Sequence, residues 1–231
     1  MLFSVLHNEL WQTPLPFTSL SHEQFVKLQQ ASAKQTVEGL VMGVLIRNNV
    51  KLERADALLA YSRTMMIEQL NRKVNAVAKE LATILANDGI DYRIFKGQTL
   101  ALLYPHPETR MPGDIDFYCV PNHFARAQQL LQKAWGITLG GEESMQHRDF
   151  SYKDVPLEMH FCMMKFNSNA IQTYWERLLA EASIEQVSIE GVAVNTLPPT
   201  LNVLYTFLHL YHHLVELGVG LRQFCDLLVL L

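Results

Sequence analysis

The chain has 231 residues, 49% of them apolar and 18% charged, which is the balance of a folded globular protein and not of a disordered tail. Its net charge of −4 offers no basic field of the kind a dedicated DNA- or RNA-binding module uses. Three scattered cysteines, Cys119, Cys162 and Cys225, show no CxxC spacing; they argue against a disulfide framework or structural zinc and for a reducing, cytoplasmic setting.

The N-terminal stretch MLFSVLHNELWQTPLP has no basic start and no apolar run leading to small residues, so it does not read as a secretory signal. The longest apolar segment, residues 39–46, falls well short of the roughly 20 residues a membrane helix needs. Ser21-His-Glu-Gln24 has the form of a capping box and predicts a helix start. A second helix is expected over residues 36–47, closed by Asn48 and Asn49. The clearest periodicity lies in residues 62–87, where Met66, Leu70, Val74, Val77, Leu81 and Ile84 recur at spacings of three and four. Asn87-Asp88-Gly89 stops that helix. Residues 91–96 then read as a strand, residues 98–104 as a short helix broken by Pro105 and Pro107, and residues 115–120 as a second strand ended by Pro121. A helix capped by Asn122 is expected to run to Trp135, and Gly140-Gly141 to form a loop. Two short strands should pair across residues 149–161. The chain turns helical again from Pro199, with Leu201, Leu204, Leu208, Tyr211 and Val215 as the expected core stripe. No internal repeat or low-complexity segment is present.

Chemistry concentrates between Phe95 and Phe117. Asp114 and Asp116 stand two apart on a predicted strand, so their carboxylates share one face while Ile115 and Phe117 face the core. Like charges at that distance repel, and a divalent cation relieves the repulsion; Mg²⁺ favours one or two carboxylates with water and phosphate oxygens. In the segment from Val155 to Phe161, Val155, Leu157, Met159 and Phe161 alternate with Pro156, Glu158 and His160. Glu158 would complete a trio of acids if its strand lies beside that of Asp116, and such a trio can hold two metal ions. Gly97, at a strand-to-helix junction, would let phosphate approach unpaired amides, with Lys96 and Arg110 as neutralising cations. His160 is read either as a partner of a metal-bound carboxylate or as a hydrogen-bonded structural histidine.

Gly97, Asp114-Ile-Asp116 and Glu158, in that order, resemble the pattern of the DNA polymerase β-like nucleotidyltransferase superfamily. A closer likeness is to its largely uncharacterised bacterial branch. Lys96-Gly97, the apolar run from Leu100 to Leu103, Tyr104-Pro105, Arg110, Asp114-x-Asp116 and Glu158-Met-His160 all match that branch, and His209, His213, Arg222 and Asp226 are similar to residues on its C-terminal helices. Gln98 departs from the Ser or Gly of the wider superfamily. The resemblance spans about residues 60–231. It implies a mixed α/β (α+β) fold in which a small nucleotidyltransferase sheet has flanking N-terminal and C-terminal helices. The expected divisions are an N-terminal helical segment (1–60), the α/β core (61–165), and a C-terminal helical region walling the cleft (166–231). It further implies Mg²⁺-dependent transfer of a nucleoside monophosphate from a nucleoside triphosphate to an unidentified acceptor, releasing pyrophosphate. Asp114, Asp116 and Glu158 would hold two Mg²⁺ ions, and Lys96, Gly97, Gln98 and Arg110 would bind the nucleotide. A long nucleic acid is the acceptor the acidity least favours, and no membrane association is expected. Two other readings stand beside this one: a catalytically retired fold that binds a nucleotide or a protein, and a metal-dependent phosphohydrolase. His209 and His213 share a helix face but lack an obvious third zinc ligand, and Arg222 with Asp226 reads first as a surface pair.

Overall fold

A computed structural model describes residues 1–139 and 146–231; the Gly140-Gly141 loop lies outside the described residues. The chain divides into two compact units, each discontinuous in sequence. One comprises residues 1–72, 100–112 and 203–231, the other residues 73–99 and 113–202.

The first unit is helical. It contains α1 (Leu2–Trp11), α2 (His22–Lys34), α3 (Glu38–Arg47), the first half of α4 (Arg54–Asn87), a 3₁₀ turn (Pro107–Thr109), most of α8 (Pro199–Glu216) and α9 (Leu221–Leu228). The capping box at the start of α2 forms on both sides. Ser21 Oγ accepts from the Gln24 amide at 3.3 Å, and Gln24 Oε1 accepts from the Ser21 amide at 2.9 Å. Helix α3 is buried around its whole girth, as an apolar run without a polar face must be. Leu40, Val41, Met42, Val44 and Leu45 form its core with Val5, Phe25 and Leu28. Gly39 is required there: a Cβ on it would stand 2.2 Å from the Thr109 carbonyl oxygen. Helix α1 carries a buried carboxylate, Glu9, which is 2% exposed and paired with Arg47.

Burial raises the Glu9 carboxyl from 4.5 to about 7, against the opposing pull of Arg47. Between those values the folded chain holds a proton that the unfolded chain has released, so raising the pH across the window destabilises the fold. We expect the unfolding free energy to fall by up to about 3 kcal/mol between about pH 4.5 and pH 7. Urea denaturation across that range should show the decline in the wild type and a flatter profile in Glu9→Gln; matching slopes would refute it.

The second unit is α/β. Its sheet is mixed, in the order β1 (Tyr92–Phe95), β2 (Ile115–Cys119), β4 (Val155–His160), β3 (His147–Tyr152). β1 runs antiparallel to β2, β2 parallel to β4, and β3 antiparallel to β4. Lys153 and Asp154, both at positive φ, make the tight β3–β4 turn that a right-twisted hairpin favours. The second half of α4 and helix α6 (Pro121–Trp135) share one core with the sheet; Val77, Leu81 and Leu85 of α4 and Leu131 of α6 join Ile94, Phe117, Leu157 and Met159. Pro121 does not merely end β2. It is the first residue of α6, where its fixed φ suits a helix start and its missing N–H loses nothing. The short helix α5 (Gly97–Ala101) follows β1, and α7 (Asn169–Glu181) leads to a hairpin, β5 (Glu185–Ile189) with β6 (Val192–Thr196).

The mixed α/β fold is as expected, but three local readings are corrected. The β5–β6 hairpin was not anticipated; Glu190-Gly191, at φ 47° and 86°, forms its turn between the alternating pairs Val187/Ile189 and Val192/Val194. Met66 and Leu70 of α4 are exposed, and the buried side of that half carries Ala60, Thr64, Ile67 and Asn71. On α8, Leu204, Tyr211 and Val215 are exposed while Asn202, Tyr205, Thr206 and Leu210 are buried. Both helices are apolar around much of their girth, so spacing alone does not single out the packed face.

Candidate active site

The site grows from the alternation of the sheet. On β2, Ile115, Phe117 and Cys119 are buried in the helix-covered core, which sends Asp116 and Tyr118 to the other face. On β4, Leu157 and Met159 do the same, which sends Glu158 and His160 out with them. The parallel register sets Asp116 opposite Glu158 and Tyr118 opposite His160. Asp114 lies one residue before β2. Ligand oxygens of Asp114, Asp116 and Glu158 fall within 4.8 Å of one another. The three acids expected to converge do so.

Their surroundings differ sharply. Asp116 is 1% exposed and has two partners: Lys96 Nζ at 2.8 Å and His160 Nε2 at 3.1 Å. Burial alone would raise its pKa, but the Lys96 charge and the His160 hydrogen bond outweigh that and hold it well below the usual carboxylate range. His160 Nε2 also reaches Glu158 Oε2 at 3.3 Å, and that contact lowers the Glu158 pKa against the effect of burial. Burial disfavours the His160 cation, yet the bonds to both acids prevail and raise its pKa. Lys96 favours the Asp114 anion too, but its pull is outweighed. Burial and then the neighbouring Asp116 charge push the Asp114 carboxyl up to about 6. The trio thus holds one firmly ionised acid and one that resists ionisation.

Lys96 reaches Asp116 from an unusual backbone. It sits at φ 56° directly before Gly97 at φ 39°, so two consecutive residues occupy the left-handed region at the end of β1. The bend turns the chain from strand to α5 and is locked by Thr99, whose amide and Oγ1 donate to the Lys96 carbonyl at 3.1 and 2.8 Å. Gly97 satisfies a second demand: a Cβ there would stand 3.2 Å from the Asp114 carbonyl oxygen. The glycine therefore lets the Asp114 backbone come close, a role its place in the sequence did not disclose.

Two residues expected at the phosphates have side chains engaged elsewhere. Gln98 is buried and donates to Asn75 of α4, which in turn donates to Glu190 at 3.0 Å. Arg110 is 3% exposed in the helical unit, where its Nε and Nη2 each lie 2.7 Å from an oxygen of Asp226. Tyr104 donates to the same carboxylate at 2.7 Å. The surface pair expected of Arg222 and Asp226 is thereby corrected, since Asp226 is buried on Arg110 and Arg222 donates to the Met111 carbonyl at 3.1 Å. The rings of His209 and His213 lie 4.3 Å apart between centroids and are tilted by 58°, and no third His, Cys, Asp or Glu joins them in a ligand group among the described residues.

Comparison with known proteins follows the same direction as the geometry. A family model described as an uncharacterised nucleotidyltransferase matches residues 21–231. The chain belongs to that family. A comparison with curated proteins finds no match. Among solved structures it is similar to an antigenic nucleotidyltransferase-like protein from Paracoccidioides brasiliensis, with 20% identity and a TM-score of 0.46. That likeness covers 68% of this chain and 74% of the other. Family membership makes nucleotidyl transfer the general role, and a nucleotide is the substrate it implies.

Proposed function

We propose that this family member is a DNA polymerase β-like enzyme that transfers a nucleoside monophosphate from a nucleoside triphosphate to an acceptor nucleophile, with pyrophosphate as leaving group. The observation that carries the reading is the trio of Asp114, Asp116 and Glu158 within 4.8 Å, with Asp114 held up to about 6 by burial and by Asp116. Carboxylates so crowded suit a hard divalent cation, and Mg²⁺ fits a set made only of oxygen donors. Bound there, the cation would supply charge neutralisation for the triphosphate and for the oxygen that attacks it.

The chain's own residues do the rest. Asp116, kept ionised by Lys96 and His160, is the fixed acceptor of the site. Glu158, on the neighbouring strand, is the third ligand and a base for the acceptor's proton. Gly97, which has no side chain, would let a phosphate come close to the backbone beside the trio. Lys96 is the cation nearest the trio and is poised to exchange part of its hold on Asp116 for phosphate. We retain Arg110 only as a framework residue, because its guanidinium is bound to Asp226 in a buried pair. A second reading has one observation of its own: Lys96 and His160 already compensate Asp116, so a binding module without chemistry would be stable with this arrangement too.

Calorimetric titration of each nucleoside triphosphate, with and without Mg²⁺, tests the first reading, followed by analysis of products from α-labelled nucleotide. We expect metal-dependent binding of at least one triphosphate and label carried to an acceptor with release of pyrophosphate. Binding without any transfer would favour the retired fold. Labelled monophosphate without an acceptor adduct would favour the phosphohydrolase.

A further inference from the structure

The face of the sheet that bears the acid trio extends beyond it. Across the antiparallel β3–β4 pair, His147 stands opposite His160 and Asp149 opposite Glu158. The rings of His147 and His160 lie 4.9 Å apart between centroids, and His147, Glu158 and His160 bring one ligand atom each within 4.8 Å of one another. Two imidazoles and one carboxylate form a donor set different in kind from the all-oxygen trio. Imidazole nitrogen suits zinc and its neighbours, whereas Mg²⁺ takes oxygen.

Two further observations bear on this set. His160 Nε2 lies beside two acceptors, Asp116 at 3.1 Å and Glu158 at 3.3 Å, so a neutral ring carries its proton there and its lone pair on Nδ1. That Nδ1 is buried and has no hydrogen-bond partner, on a residue only 4% exposed. A buried lone pair without a donor is an open cost in any fold, and a metal ion removes it. The second is His147 Nε2, which lies 3.2 Å from Asp149 Oδ1. A carboxylate on one ring nitrogen is how metal-binding histidines are oriented for ligation through the other.

We propose that His147, Glu158 and His160 form a second, distinct metal site, selective for Zn²⁺ over Mg²⁺, on the β3 side of the acid trio. Three protein ligands leave a fourth position for water or a substrate atom, the composition of an open zinc site. Glu158 belongs to both ligand groups and has two oxygens, so the two sites meet at one residue. The site stands on the histidines and does not require that the chain transfer nucleotides.

The test is titration of the metal-stripped full chain with Co²⁺ as a spectroscopic stand-in for zinc, followed by competition with Zn²⁺ and with Mg²⁺, no nucleotide being present. We expect one equivalent of Co²⁺ to give the intense visible bands of a four-coordinate nitrogen–oxygen site. Zn²⁺ should displace it and a large excess of Mg²⁺ should not. His147→Ala changes a partly exposed strand residue and should weaken Co²⁺ binding at least tenfold; Asp114→Asn, which alters only the oxygen trio, should leave the bands in place. His160→Gln, with its fold checked by circular dichroism, should abolish them. Absence of bands in the wild type, or bands unchanged in His147→Ala, would overturn the site. Loss of the bands in Asp114→Asn would overturn its distinctness from the trio.

Discussion

Asp114→Asn should make the protein more stable and at the same time weaken its Mg²⁺-dependent binding of triphosphate. The wild-type carboxyl is held up to about 6 because burial and the Asp116 charge oppose its ionisation. In the unfolded chain it would titrate near 4, so between those values the folded state holds the extra proton. Stability is therefore lost as the pH rises through that window, and above it the full cost of the buried anion is present. An amide of the same shape carries no charge and does not incur that cost. We expect the variant to gain about 1–3 kcal/mol in unfolding free energy at about pH 8, with the gain vanishing near pH 4. In the same variant, Mg²⁺-dependent triphosphate binding should weaken at least tenfold, since one of the three proposed ligands is gone. Urea denaturation at both pH values, paired with calorimetry, decides the matter. A variant that is less stable at pH 8 would mean Asp114 already has a compensating partner and the crowding argument fails.

The second large effect belongs to the helical unit. Asp226→Ala should destabilise it by about 3–5 kcal/mol, because Arg110 is then left as a buried cation with no counter-charge. In the intact chain both oxygens of Asp226 accept from Arg110 at 2.7 Å and one also accepts from Tyr104. Burial pushes the Asp226 carboxyl up, but the Arg110 charge and hydrogen bonds outweigh it and keep it ionised. The double variant Arg110→Met/Asp226→Leu should recover most of the loss, since well-packed apolar groups often replace a buried pair without penalty. Thermal and urea unfolding of the three variants would show it. A loss below about 1 kcal/mol in Asp226→Ala would mean the guanidinium finds another partner or water.

The sequence was most readable where one face of an element is plainly apolar. Alternation along residues 155–161 and the spacing of Asp114 and Asp116 were enough to place Glu158 and Asp116 on one face, and the parallel register then joins them. Pairing order is another matter. That β4 rather than β3 adjoins β2 is set by a crossover between distant segments, and nothing local encodes it. The same limit hid the partners of Gln98 and Arg110. Asn75 lies 23 residues from Gln98 and Asp226 lies 116 from Arg110, so their engagement follows only from the fold. The buried faces of α4 and α8 were misread for a different reason: small and polar residues such as Ala60, Asn71, Asn202 and Thr206 take core positions that a hydrophobic count skips. His147 carried a faint signal. It stands two residues before Asp149, just outside the stretch expected to pair with the strand of Glu158, and the spacing of His147 from His160 resembles no short ligand motif.

The 116-residue gap between Arg110 and Asp226 also has a meaning in time. A ribosome adding roughly 5–20 residues per second would deliver Arg110 on the order of ten seconds before the carboxylate that neutralises it. Throughout that interval helices α1 to α3 would have the apolar residues for a core but no counter-ion for its buried cation. The helical unit therefore gains the counter-charge for its buried cation only when α9 emerges.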